Sequence, residues 1–82
     1  MDPYEIEILR YLYVKRCIGA KHTAAEHTLR GLRRHERGAG RWFLDKLIKN
    51  GYVFSKPTSY GTQVSLNPEK LKEIKTVLRE DE

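Results

Sequence analysis

The period of the apolar residues changes from helical to alternating at Asn50 and Gly51. Before that point Phe43, Leu44, Leu47 and Ile48 recur at helical spacing. After it, Tyr52, Val53, Phe54 and Ser55 read as a strand, and Thr62 to Leu66 alternate polar and apolar as a half-buried strand does. The change predicts a helix over residues 38–50 that runs straight into a β-hairpin over 52–66. Gly51 suits the left-handed position that closes a helix. Residues 56–61, with Pro57 and Gly61, read as the hairpin turn.

Local signals place three more helices. Asp2 caps a first helix and Pro3 occupies its first turn, where a missing N–H costs nothing. Its apolar side is Ile6, Ile8, Leu9, Leu12 and Tyr13, and it ends near Lys15 and Arg16. Cys17, Ile18 and Gly19 read as an extended connector or a stub of strand. Thr23 and Glu26 have capping-box spacing, which predicts a second helix over 24–34. Ala25, Leu29 and Leu32 would then fall within about 60° of one another and face the core. Residues 35–38 break this pattern before the third helix. Asn67 and Pro68 repeat the cap-plus-proline device and open a fourth helix over 67–79, with the stripe Leu71, Ile74, Val77 and Leu78. The tail, residues 79–82, is expected to fray. The expectation is one domain over 1–82, α+β and mostly helical, in the order helix, helix, helix, hairpin, helix.

Charge is concentrated in the middle. The chain has 82 residues and a net charge of +5. Residues 15–50 hold ten bases (Lys15, Arg16, Lys21, Arg30, Arg33, Arg34, Arg37, Arg41, Lys46, Lys49) against Glu26, Glu36 and Asp45, a local net charge of +7. Such a segment attracts polyanions, nucleic acid above all, although a merely solvated basic surface has the same composition. A single cysteine, Cys17, excludes an internal disulfide and suits a reducing compartment. No apolar run reaches the ~18 residues of a membrane span, and the acidic N-terminal segment has no signal-peptide pattern. These features lead to the expectation of a basic cytoplasmic protein without a membrane partner.

The run Leu47-Ile48-Lys49-Asn50-Gly51-Tyr52-Val53 entering a hairpin, behind a basic second helix, resembles the winged helix-turn-helix superfamily over roughly residues 4–66. The stretches KHTAAEHTLRGLRRHERG and KPTSYGTQVSLNP also look like small stand-alone archaeal winged-helix proteins of unassigned function. The resemblance implies a three-helix core, a third helix that enters the DNA major groove, and a hairpin wing along the backbone or minor groove. One departure is visible: the break between the second and third helices is longer than a compact helix-turn-helix turn.

The outer face of the third helix comprises Gly38, Arg41, Trp42, Asp45, Lys46 and Lys49. Arg41 suits a guanine edge or a phosphate, and Lys46 and Lys49 suit phosphates. Asp45 is expected to pair within the helix with Arg41 or Lys49. Trp42 leaves three readings open: packing inside the domain against the second or fourth helix, a dimer contact, or stacking on a base or sugar. Gly38 reads first as a capping or turning residue, and both Gly38 and Gly40 would also allow close approach of a phosphate to the helix start. Arg33, Arg34 and Arg37, with Arg30, would serve a helix C-terminus electrostatically, but exceed what that needs. In the hairpin, Lys56, Thr58, Ser59, Tyr60 and Gln63 are candidate backbone contacts. The candidate nucleic-acid-binding set is therefore Arg33, Arg34, Arg37, Gly38, Arg41, Trp42, Lys46, Lys49, Lys56 and Tyr60.

His22, His27 and His35 with Cys17 match no zinc spacing, and no nucleophile, phosphate-loop or dinucleotide motif is present. Neither an enzyme, a metal nor a cofactor is expected. The leading expectation is duplex-DNA binding in transcription regulation, with a homodimer suited to a two-fold site. The alternatives are a protein-interaction adaptor anchored by Trp42 and an RNA-binding module.

Overall fold

The computed structural model describes residues 1–81. Helix α1 spans Pro3–Val14, and Asp2 caps it by accepting from the Tyr4 amide at 2.8 Å while Glu5 accepts from the Asp2 amide at 3.1 Å. It ends two residues before Arg16, which takes a left-handed φ of 57°. The amides of Arg16 and Cys17 return to the carbonyls of Tyr13 and Leu12 and close the helix. Residues 17–19 then run parallel beside Leu66: Ile18 bridges Leu66, and Ser65 donates to the Gly19 carbonyl at 2.9 Å.

The expected second helix is absent. Thr23–Ala24 is instead a short strand, β1, followed by a five-residue 3-10 helix at Ala25–Leu29 and a second 3-10 turn at Arg34–Glu36. The capping box at Thr23 does not form, because the Thr23–Ala24 backbone is paired with a later strand and held extended. The Thr23 hydroxyl lies 3.0 Å from His27 Nδ1 instead. Thr28 donates to the Ala25 carbonyl at 2.6 Å, and Gly31 follows shortly after, so two local features also oppose an α-helix here. Ala25 and Leu29 are nevertheless buried and Leu32 half-buried, as their spacing requires.

Helix α2, the expected third helix, spans Arg37–Lys49 and buries Gly40, Leu44 and Leu47. It closes as the change of period predicts. Gly51 has φ 83°, its amide returns to Ile48, and the Tyr52 amide returns to Leu47 at 3.0 Å. Strand β2 (Val53–Thr58) follows at once and pairs antiparallel with β3 (Gly61–Leu66). The turn is only Ser59 and Tyr60, shorter than expected, and Pro57 lies within β2 opposite Thr62. That is tolerable because β2 is an edge strand, in the order β1-β3-β2. Thr58 secures the turn, donating to the Gly61 carbonyl and accepting from the Tyr60 amide.

Asn67 caps a 3-10 turn at Pro68–Lys70, accepting from Glu69, and also donates to the Gly51 carbonyl at 2.8 Å. It thereby ties the end of α2 to the start of α3 (Leu71–Glu80). Arg79 and Glu80 are helical rather than frayed, the Asp81 amide returns to the Val77 carbonyl, and Glu82 lies outside the described residues. Helix α3 packs back on α1: Arg10 reaches the Leu78 carbonyl and pairs with Asp81 at 3.2 Å. One core joins α1, the Ala25–Leu29 turn, α2, β2, β3 and α3, with Ile8, Leu9, Leu12, Leu44, Leu47, Val64, Leu66 and Ile74 fully buried. Cys17 joins it as a small buried hydrophobe.

Candidate nucleic-acid interface

All ten candidate residues are exposed. Eight of them form one continuous stretch: Arg33 and Arg34 in the second 3-10 turn region, then Arg37, Gly38, Arg41, Trp42, Lys46 and Lys49 along α2. Lys56 and Tyr60 lie on the β2–β3 hairpin, with Tyr60 at its tip and 95 % exposed.

The outer face of α2 carries two shallow grooves. One, of about 370 Å³, lies between the Ala25–Leu29 turn and the start of α2 and is lined by Glu26, Leu29, Arg30, Arg37 and Arg41. The other, of about 480 Å³, runs along the second half of the helix and is lined by Trp42, Asp45, Lys46, Lys49 and Asn50. The ridge between them is an ion pair, Arg41 Nε to Asp45 Oδ1 at 3.3 Å, the i,i+4 partnership expected of Asp45. Both members are exposed, so the pair adds little stability. Asp45, the one acid of α2, thereby competes with an incoming anion for Arg41.

Two expectations need correction. Gly38 is not a turn residue. It lies in the first turn of α2 without a left-handed φ, and a side chain there would meet open space. The chain turns through 3-10 geometry at Arg34–Glu36 instead. Gly40 is the sterically constrained glycine, lying against Leu32 and Leu29. Nor is Trp42 packed into the domain core, since it is 59 % exposed. Its neighbour Phe43 turns inward and stacks on Tyr4, leaving the indole edge-on to Phe43 with Lys46 over its ring.

The arginines also change setting. With no α-helix over residues 24–34, Arg30, Arg33 and Arg34 serve no α-helical C-terminus. Arg33, Arg34 and Arg37 sit at the N-terminal end of α2, where the helix dipole disfavours cations. The first turn of α2 contains no acid. Glu36, just before it, accepts from the Arg33 amide at 3.4 Å. The two ion pairs among the described residues are Arg10–Asp81 and Arg41–Asp45, so Arg30, Arg33, Arg34, Arg37, Lys46 and Lys49 have no acidic partner there.

Arg30 and Asn50 are groove residues that the candidate set lacks. Arg30 belongs to the same basic run, but its place beside Arg37 and Arg41 depends on how the 3-10 turn packs on α2. Asn50 reads in the sequence only as part of a helix end. Among the described residues no three His, Cys, Asp or Glu side chains gather as a metal site would, and no helix is long and apolar enough to cross a membrane. Comparison with protein-family models, with curated proteins and with solved structures finds no match to this chain.

Proposed function

We propose that this chain binds nucleic acid, duplex DNA in the first place, through the outer face of α2, and that it acts in transcription regulation. The order α1, β1, 3-10 turn, α2, hairpin, α3 is compatible with a winged helix-turn-helix layout. In that reading α2 takes the groove-entering place and the β2–β3 hairpin is the wing, with the second helix reduced to 3-10 turns.

The observation that carries the reading is the placement of Arg33, Arg34 and Arg37. Three cations at the positive end of a helix, with Glu36 at the N-cap the one acid beside them, work against stability. A bound phosphate reverses the sign: cations and helix dipole then both favour the anion. Arg41, Lys46 and Lys49 continue the same charge along α2, and Lys56 adds one charge in the hairpin.

The test is a titration of short duplex DNA at several salt concentrations. Each neutralised phosphate contributes about −0.9 to the slope of log K against log salt, so about four contacts give a slope near −3.6. Absence of binding at ~50 mM salt, or binding indifferent to salt, refutes the proposal. Competition with single strands and structured RNA separates DNA from RNA as the preferred ligand.

The exposure of Trp42 beside a groove favours a second reading, a protein-interaction adaptor in which the indole anchors a partner. Under that reading Trp42→Ala abolishes partner binding and leaves DNA affinity unchanged.

A further inference from the structure

Among the exposed cations of α2 lies one apolar plate. Trp42 is 59 % exposed, yet its ring is braced. Phe43 meets it edge-on, with centroids 4.9 Å apart and planes at 87°, and Phe43 is itself stacked on Tyr4 of α1 at 5.6 Å. Lys46 Nζ stands 5.4 Å from the centroid of the same ring. The chain of contacts Tyr4–Phe43–Trp42 thus seats one edge of the indole beside the second groove. An aromatic side chain packed in this way has less freedom to lose on binding than an unsupported one.

What such a plate can read depends on what the ligand offers. Inside a duplex the base faces are stacked on one another, and only base edges line the groove floor, so an indole on a groove-entering helix has nothing to stack on. Its N–H can donate, but acceptors occur in the major groove on every base pair: N7 and O6 of guanine, N7 of adenine, O4 of thymine. The N–H therefore discriminates poorly. The apolar feature of that groove is the C5 methyl of thymine, and 5-methylcytosine carries a methyl at the same ring position.

We propose that Trp42 is a specificity-determining residue that packs on the 5-methyl group of a pyrimidine in duplex DNA, while Lys46 and Lys49 neutralise the flanking phosphates. This rests on the duplex-DNA reading above and adds the base feature that is read. Arg41, held at Nε by Asp45, contributes separately, to a guanine edge or a phosphate.

The experiment uses the full chain and two duplexes, one of alternating dA and dT, the other identical but with dU in place of dT. They differ only in the thymine methyl. Wild type and Trp42→Ala are titrated on both at two salt concentrations, with circular dichroism to confirm that the variant is folded and Trp42→Phe as a variant that retains an aromatic ring. Burying one methyl corresponds to about fourfold in affinity, so wild type prefers the dT duplex by about fourfold per methyl contacted. Trp42→Ala binds both duplexes alike, and Trp42→Phe keeps part of the preference. The ratio between duplexes is insensitive to salt because the methyl is uncharged, whereas both affinities fall as salt rises.

A wild-type ratio near one, or a preference that survives in Trp42→Ala, with steep salt dependence intact, overturns the methyl contact and leaves the DNA reading standing. Absence of salt-sensitive binding to either duplex overturns both. Tighter binding to a single-stranded dT oligonucleotide, lost in Trp42→Ala, assigns the indole to base stacking and overturns the methyl contact.

Discussion

A side chain added at Gly40 would collide with Leu32 Cδ1 and stand 3.1 Å from Leu29 Cδ2. The backbone of α2 is therefore the surface against which the segment before it packs. Both leucines belong to the stretch that replaces an α-helix with 3-10 turns, and Gly40 lets that stretch lie close. Gly38, two residues earlier on the same helix, has open space around it. Opposite effects are expected from the same substitution. Gly38→Ala gains about 0.5–1 kcal/mol from reduced backbone freedom. At Gly40→Ala an overpacking cost of about 1–3 kcal/mol exceeds that gain. Urea denaturation of the two variants checks this, and equal stabilisation by both would show that the Leu32 contact does not constrain the helix.

If α2 binds DNA as proposed, removing charge from its outer face acts through phosphate contacts. Arg37→Ala and Lys49→Ala are each expected to weaken duplex binding and to reduce the salt slope by about one, evenly across DNA sequences. Neither side chain has an acidic partner among the described residues, so thermal stability should change by less than about 0.5 kcal/mol. Arg37→Ala should even relieve the unfavourable placement of a cation at a helix N-terminus. An unchanged slope in both variants would remove these residues from the interface.

Asp45→Asn tests the ridge between the two grooves. The Arg41–Asp45 pair is exposed on both sides, 48 % and 60 %, so its loss should cost no more than about 0.5 kcal/mol of stability. The helix face gains one net positive charge and Arg41 is released. Duplex affinity is expected to rise severalfold at low salt, with the gain shrinking as salt screens it. A fall in affinity instead would mean that Asp45 either contacts the ligand or holds Arg41 in its productive position.

Tyr52 offers a pH readout of the sheet–α3 junction. Hydrogen bonding to Glu73 raises its phenol above the usual 10, and burial and the nearby negative charges of Glu73 and Glu5 add to the effect. A raised folded-state pKa means that the neutral phenol is favoured in the native chain. The associated stability is complete below pH 10 and is lost as pH rises through the folded-state value. Glu73→Gln should lower the Tyr52 titration toward 10, seen in the tyrosinate absorbance, and make the high-pH loss of stability shallower. Superimposable titrations of the variant and wild type would exclude Glu73 as the cause.

What could be read from the chain alone is what short-range physics decides. The closure of α2 involves the carbonyls of Leu47 and Ile48 and the amides of Gly51 and Tyr52, all within six consecutive residues. The caps at Asp2 and Asn67 are equally local. The outward direction of Arg41, Trp42, Lys46 and Lys49 follows from helical periodicity once Leu44 and Leu47 are known to face inward. Most of the candidate face was legible for that reason.

The region between α1 and α2 was not. Thr23 and Glu26 have the spacing of a capping box as clear as that of Asp2 and Glu5, yet only the latter pair forms one. The difference is that Thr23 and Ala24 pair with Val64 and Gln63, which lie far along the chain. Sheet pairing and burial of Leu29 against Gly40 outweigh a local preference of about 1 kcal/mol. The same packing brings Arg30 beside Arg37 and Arg41, so the first groove depends on tertiary structure although its residues are visible as a basic run. The periodicity puts Trp42 outward, and the packing of Phe43 rather than Trp42 against Tyr4 leaves the indole 59 % exposed. The sequence by itself determined the caps at Asp2 and Asn67, the closure of α2, where the hairpin lies and which side of α2 is charged, since those depend on neighbours in the chain, although the α-helix after Asn67 starts only at Leu71, behind a 3-10 turn. Only the tertiary structure decided the third strand, the 3-10 turns and the two grooves, because each depends on contacts between residues that the chain keeps far apart.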